Sequence, residues 1–98
     1  MHKSTLYVIR TTNRDLSRFE EQLPNHLAWV NEHATSGAFL FSGPLESRFD
    51  GGIIIARTES RDALDLILRS DPFLTSGVSS HEVLTFNALF GSQAHVLR

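Results

Sequence analysis

The sequence predicts a single α+β domain in which strands and helices alternate in the order strand, helix, strand, strand, helix, strand. Three observations predict it. Four short runs are rich in β-branched and aromatic residues and are bounded by polar or glycine-containing stretches. Between the first and second runs, and again between the third and fourth, apolar residues recur every three or four positions, the period of an amphipathic helix. The chain has 98 residues, 41% of them hydrophobic, which suffices for one core and not for two.

Thr5 to Arg10 (TLYVIR) closes at the polar cluster Thr11 to Asp15 and reads as the first strand. Leu16, Phe19, Leu23, Leu27, Val30 and Ala34 then fall on one stripe at about 100° per residue and predict a helix. Pro24 lies inside it. An interior proline costs about 3 kcal/mol unless it begins a helical segment, so a kink or a restart is expected there. Gly37 ends the element. Ala38 to Ser42 reads as the second strand and Ile53 to Thr58 as the third, joined by a loop rich in glycine and polar residues. Ser60 suits an N-cap and Asp62 a first turn for a helix carrying Leu64, Ile67 and Leu68. That helix must stop near Ser70, because Pro72 disfavours helical geometry at the residue before it. A compact turn from Asp71 to Gly77 precedes the fourth strand, His81 to Phe86. The core of the domain thus spans about 5–87, and 88–98 is a tail with an apolar segment, Ala88 to Phe90. Two crossovers in this order build a four-stranded antiparallel sheet with both helices on one face, the ferredoxin-like βαββαβ architecture.

Composition excludes several functions. With no cysteine there is no disulfide, thiol nucleophile or iron–sulfur ligand, which fits a cytoplasmic chain. The longest uninterrupted apolar runs are four residues, against roughly 20 for a membrane span. Met1-His2-Lys3 precedes too short an apolar run for a secretory leader. Nine Lys and Arg against eleven Asp and Glu leave no basic footprint for nucleic acid.

Side chains alternate across a sheet, so Leu6 and Val8 oppose Tyr7 and Ile9, Phe39 and Phe41 oppose Leu40, Ile53 and Ile55 oppose Ile54, and Val83 opposes Leu84 and Phe86. Both faces are apolar. Helices can cover only one of them, so the other is expected to meet the same sheet of a second subunit in a homodimer.

His26 falls about 60° from the centre of the helix stripe, at a border where an imidazole is partly desolvated yet reachable, as a general acid or base must be. The plainer alternative is a packed ring bonded to a carbonyl. His33 on the same flank lies about 10.5 Å further along the axis, too far to share an ion with His26, so no metal is expected. Asp71, fixed by Pro72, either projects its carboxylate from a defined position or simply caps a short helical turn that Gly77 ends; one carboxylate can do both. Ser42-Gly43-Pro44 is a strand-to-loop turn whose hydroxyl and amides could serve a ligand oxygen. Trp29, Tyr7, Phe49 and Phe73 are candidates to line a pocket for a ring, the alternative and commoner role in a small domain being core. Gly51-Gly52 reads as hairpin turn chemistry, since the context of a phosphate-binding loop is missing. Arg10, Arg48 and Arg57 are possible anion partners, and His2, His81 and His95 read as surface residues.

Taken in order, Pro24-x-His26-Leu27, Gly37, Phe39-Leu40-Phe41-Ser42-Gly43-Pro44-Leu45, Gly51-Gly52-Ile53-Ile54-Ile55, Asp71-Pro72-Phe73 and Gly77-Val78 resemble the YCII-related domain family over roughly Leu6 to Phe86. The resemblance implies a subunit pairing as a dimeric α+β barrel, related in shape to muconolactone isomerase and small cofactor-free monooxygenases. It also implies a catalytic dyad of helix histidine and Asp-Pro-Phe aspartate, here His26 and Asp71. Its best-defined activity is dehydrochlorination of a chlorinated hydroxyquinol. The chain departs from the family pattern at Thr11 to Gln22 and after Phe86. The expected function is therefore cofactor-independent proton transfer, of lyase or isomerase type, on a small aromatic or lactone substrate. A dimer that binds a small molecule without turning it over is the alternative, and oxygenation of an electron-rich ring rests on fold analogy alone.

Overall fold

In a computed structural model describing residues 4–97, strand β1 (Thr5–Asn13) runs between β3 (Gly51–Ala56) and β4 (Ser79–Asn87), and β2 (Phe39–Pro44) lies outside β3. The order β2-β3-β1-β4 is antiparallel throughout. This is the four-stranded ferredoxin-like sheet that the element order predicts, with α1 (Phe19–Thr35) between β1 and β2 and α2 (Arg61–Arg69) and α3 (Pro72–Thr75) between β3 and β4. Ser60 caps α2 by accepting from the Ala63 amide at 3.0 Å. The Met1-His2-Lys3 start, with the reading of His2 as a surface residue, lies outside the described residues.

Register decides which side chains share a face. Ile9 pairs with Ile54 and with Val83, and Tyr7 pairs with Ala56. These residues and Phe39 face the helices, where they pack with Trp29 of α1 and Leu64 and Leu68 of α2. The Trp29 indole N–H donates to the Ile67 carbonyl at 3.2 Å and the Ser70 hydroxyl at 3.0 Å, so burial leaves its one polar atom satisfied. A second cluster, Phe19, Phe73 and Val78, closes the other end of the layer.

Three expectations are corrected. First, α1 turns a different stripe inward. Phe19 and Trp29 are buried and Leu23, His26, Val30 and His33 half-buried, while Leu16, Leu27 and Ala34 are exposed. Leu16 belongs to a separate 3₁₀ turn, Leu16–Arg18, capped by Asp15. The predicted stripe shares Phe19, Leu23 and Val30 with the observed one but leaves out Trp29, whose large apolar surface is buried. Consequently His26 sits at the middle of the inward face. Second, α1 does not restart at Pro24, which is exposed and lies inside one unbroken helix. Third, Phe39 and Phe41 do not share a face. An irregularity between them makes Phe39 the partner of Ala56 and Phe41 the partner of Ile55, so Phe39 is 4% exposed and Phe41 74%.

Gly51 and Gly52 also differ from the turn reading. Both lie within β3, opposite Thr12 and Thr11. A Cβ on Gly51, at φ +134°, would collide with the Thr11 carbonyl oxygen, and one on Gly52 would come within 2.6 Å of the Gly43 carbonyl oxygen. Glycine is needed because the neighbouring strands pass too close for any side chain.

The face away from the helices carries Val8, Ile53 and Ile55, half-buried, with Phe41, Leu84 and Phe86 exposed. Among the described residues, no helix is long and apolar enough to cross a membrane.

Candidate active site

Asp71 is placed by the turn chemistry of its own segment. Its Oδ1 accepts the Phe73 amide at 2.9 Å, capping α3 with Pro72 in the first position, and Gly77 at φ +82° terminates the turn. Capping leaves the carboxylate room for further partners. The same Oδ1 accepts from His26 Nδ1 at 2.7 Å, and Oδ2 accepts from His81 Nε2 at 2.8 Å. The Asp71 side chain is 0% exposed. One carboxylate thus joins α1, α3 and β4.

Burial by itself would raise the Asp71 carboxyl above its ordinary value. The hydrogen bonds from His26 and His81, the charge of His26 and the Phe73 amide outweigh that and hold it down at about 2. Asp71 is therefore an anion at every physiological pH. As an acceptor on both oxygens it fixes the tautomers: His26 carries its hydrogen on Nδ1 and His81 carries one on Nε2.

His81 is not a surface residue; its side chain is 7% exposed. A signal for this was present in the pattern, because His81 alternates with Val83 and hence points to the helix side, directly opposite Thr11.

His26 stacks on Phe73 with ring centroids 4.0 Å apart and planes 7° from parallel. Stacking on one side and the Asp71 bond on the edge hold the ring in one orientation. Its Nε2 has no hydrogen-bond partner among the described residues. The ring forms part of the wall of a cavity of about 350 Å³ between α1 and the β2–β3 pair. Ser42, Gly43, Pro44 and Phe73 line the same cavity, so the structure brings these four together with His26. Leu23, Leu27, Val30 and Ile54 make most of the wall apolar, and Gly51 and Gly52 leave its floor open. The Ser42 hydroxyl has no partner among the described residues and is available to a ligand oxygen.

Trp29 is placed elsewhere, in the core, with its N–H bonded to Ile67 and Ser70. Tyr7 is also core. Arg48 is the arginine that reaches the cavity wall, where it pairs with Glu20 at 3.0 Å and lies over the Phe19 and Phe49 rings. Arg10 is exposed, and the Arg57 amide closes onto the Ala38 carbonyl at 2.8 Å. His95 lies exposed in the final 3₁₀ turn. Thr11 and Asn13 also line the cavity and had no sequence signal beyond a polar strand end. Asn13 ties the loop above it by donating to the Arg48 and Phe49 carbonyls at 3.2 and 3.1 Å. His33 packs on Trp29 and Phe39, with Nε2 3.5 Å from a Glu32 oxygen but not hydrogen-bonded to it. Among the described residues no three His, Asp or Glu side chains are grouped to hold a metal ion.

The family model for the YCII-related domain matches residues 5–87. The chain belongs to the YCII-related domain family. Among the solved structures that share the fold of this YCII-related chain are two of note. One is the 5-chloro-2-hydroxyhydroquinone dehydrochlorinase from Burkholderia phenoliruptrix AC1100, in complex with 2,5-dihydroxybenzoquinone. It is 22% identical with a TM-score of 0.64, over 81% of this chain and 90% of that one. The other is a conserved protein from Methanosarcina mazei Go1, 15% identical with a TM-score of 0.55, over 87% of this chain and 93% of that one. No curated protein matches the sequence.

Proposed function

We propose that this YCII-related protein is a cofactor-independent enzyme that moves protons on a small hydroxylated ring or lactone, by elimination or isomerisation. The observation that carries the reading is the 2.7 Å contact between His26 Nδ1 and a fully buried, ionised Asp71, on a ring that walls an apolar cavity of about 350 Å³. With Nδ1–H committed to Asp71, the Nε2 lone pair of neutral His26 is the base. It takes a proton from an activated C–H or O–H of the ligand, and the electron pair left behind expels a leaving group or shifts a double bond. Asp71 orients the ring and stabilises the imidazolium while staying ionised. The Ser42 hydroxyl donates to the oxygen on which charge develops. The cavity is of a size that takes a small ligand, and the dehydrochlorinase of the same fold binds a dihydroxybenzoquinone.

A homodimer through the open sheet face completes the proposal, because Phe41, Leu84 and Phe86 otherwise stay exposed. Light scattering at twice the 11.0 kDa of the chain supports it. A cytoplasmic location is part of the same reading and is decided by cell fractionation.

The test is turnover of a panel of halogenated hydroquinones, hydroxyquinols and unsaturated lactones, followed by halide release and absorbance. The expected result is a substrate whose kcat falls by about 10²- to 10⁴-fold in His26→Ala, the contribution typical of a general base. Turnover unchanged in that variant would overturn the mechanism. Ligand binding without product in wild type and in a His26→Ala, Asp71→Ala double variant would leave a binding dimer instead.

A further inference from the structure

Asp71 has two imidazole partners, and the proton transfer proposed above uses one. His81 bonds the second oxygen at 2.8 Å, so the buried group is a triad, His26–Asp71–His81, with one anion and two rings that can each carry a positive charge. The two rings open on different sides of the molecule. His26 faces the cavity against β2 and β3. His81 faces a separate groove between α2 and β4, which it lines with Arg61, Asp65 and Arg69. Its Nδ1 has no hydrogen-bond partner among the described residues. In that groove Asp65 is paired with Arg61 at 2.9 Å, so no carboxylate other than Asp71 is bonded to His81. Of the remaining surroundings, β1 presents the neutral Thr11 opposite His81 and α3 carries no charged residue. Arg14 is tied to the Ser80 hydroxyl, and Glu82 points to the other face of the sheet.

We propose that His81 is a positioning residue that shares Asp71 with His26 and exchanges protons with solvent on the far side of the triad, so that the two rings bind protons in opposition. A single buried carboxylate balances one imidazolium; a second would leave net positive charge where desolvation penalises it. When His26 Nε2 gains a proton from the ligand, the N–H bond it forms is matched by loss of the Nδ1 proton of His81 to water in the groove. The hydrogens on His26 Nδ1 and His81 Nε2 stay in place on Asp71, and the triad keeps its charge. In the reverse direction, a proton arriving at His81 from the groove promotes its release from His26 to the product. The coupling of the rings stands on the geometry alone, and its use in turnover rests on the function proposed above.

The experiment is a pH titration of the ¹⁵N-labelled imidazoles by NMR, on the full chain and without ligand. In wild type each ring is expected to deviate from a single-site curve, with an inflection where the other ring titrates. In His81→Gln, which keeps an N–H for Asp71 but cannot be charged, the His26 ring is expected to follow a single-site curve and to bind its proton about tenfold more tightly. Single-site curves for both rings in wild type would overturn the proposal, as would a His26 curve that His81→Gln leaves unmoved. If His81→Gln does not fold, the wild-type curves decide. A purely structural role for His81 moves neither readout. Coupled rings together with full turnover in His26→Ala would refute the function while sparing the triad, and the reverse pattern would do the opposite.

Discussion

The layer between the sheet and α1 is filled at one end and hollow at the other. At the filled end, Phe39, Ile54 and Ala56 of the sheet meet Trp29, Leu64 and Leu68 of the helices, and the one polar atom among them is bonded. At the hollow end the sheet offers Ser42, Gly43, Gly51 and Gly52, and the helix offers His26 and Leu27. The same two elements, α1 and the β2–β3 pair, run through both. What differs is the size of the side chains on the strands, and the difference shows how a small domain makes room for a ligand. It omits side chains where strands pass closely, and closes the far end of the cavity with Phe73, on which His26 stacks and against which Phe19 lies tilted.

Truncation at the filled end breaks the contrast most strongly. Trp29→Ala is expected to cost about 3–5 kcal/mol in urea denaturation, the range for deleting a buried aromatic from a packed core. A loss below about 1 kcal/mol would mean that this end is no better packed than the other.

Acid tests the anchor at the hollow end. The folded Asp71 carboxyl lies at about 2 against an ordinary value of 3.8. A depressed carboxylate stabilises the fold in full above the ordinary value and loses that contribution as pH falls through the folded one. The window is therefore from about pH 4 down to about pH 2, and at 1.36 kcal/mol per pH unit the loss is about 2 kcal/mol. Asp71→Asn is expected to flatten that limb of the stability–pH curve, measured by chemical denaturation at each pH. A wild-type curve with no slope there would contradict the buried anion.

The smallest effect is expected of Leu27→Ala, which trims the cavity wall at an exposed position. It should change stability by less than about 1 kcal/mol while altering ligand affinity. A larger loss of stability would show that Leu27 is core and the cavity partly filled.

Much of the fold was legible in the sequence, and the reasons are local. The strand runs around Val8, Ile54 and Val83 obey alternation, Ser60 and Asp71 are caps, and Gly37 and Gly77 end helical turns at positive φ. The Asp71-Pro72-Phe73 turn and the helix carrying His26 were legible for the same reason. What failed involved comparing elements with one another. The stripe of α1 was drawn from the spacing of apolar residues within it, whereas its rotation depends on where Trp29 finds Ile67 and Ser70. The irregularity at Phe39/Phe41 depends on pairing with β3. His81 appears as one more polar residue in a strand until Asp71 is beside it.

By itself the sequence determined the alternation of strands and helices, the caps, the apolar character of both sheet faces and the presence of an imidazole and a proline-fixed carboxylate. These follow from short-range sterics, hydrogen bonding within a turn, and periodicity. Tertiary structure alone decided that the carboxylate is shared between two rings, that glycines of β3 floor a cavity rather than shape a turn, and which residues of α1 face inward. Each of those depends on contacts between residues some 10 to 45 positions apart, and only packing in three dimensions specifies such contacts.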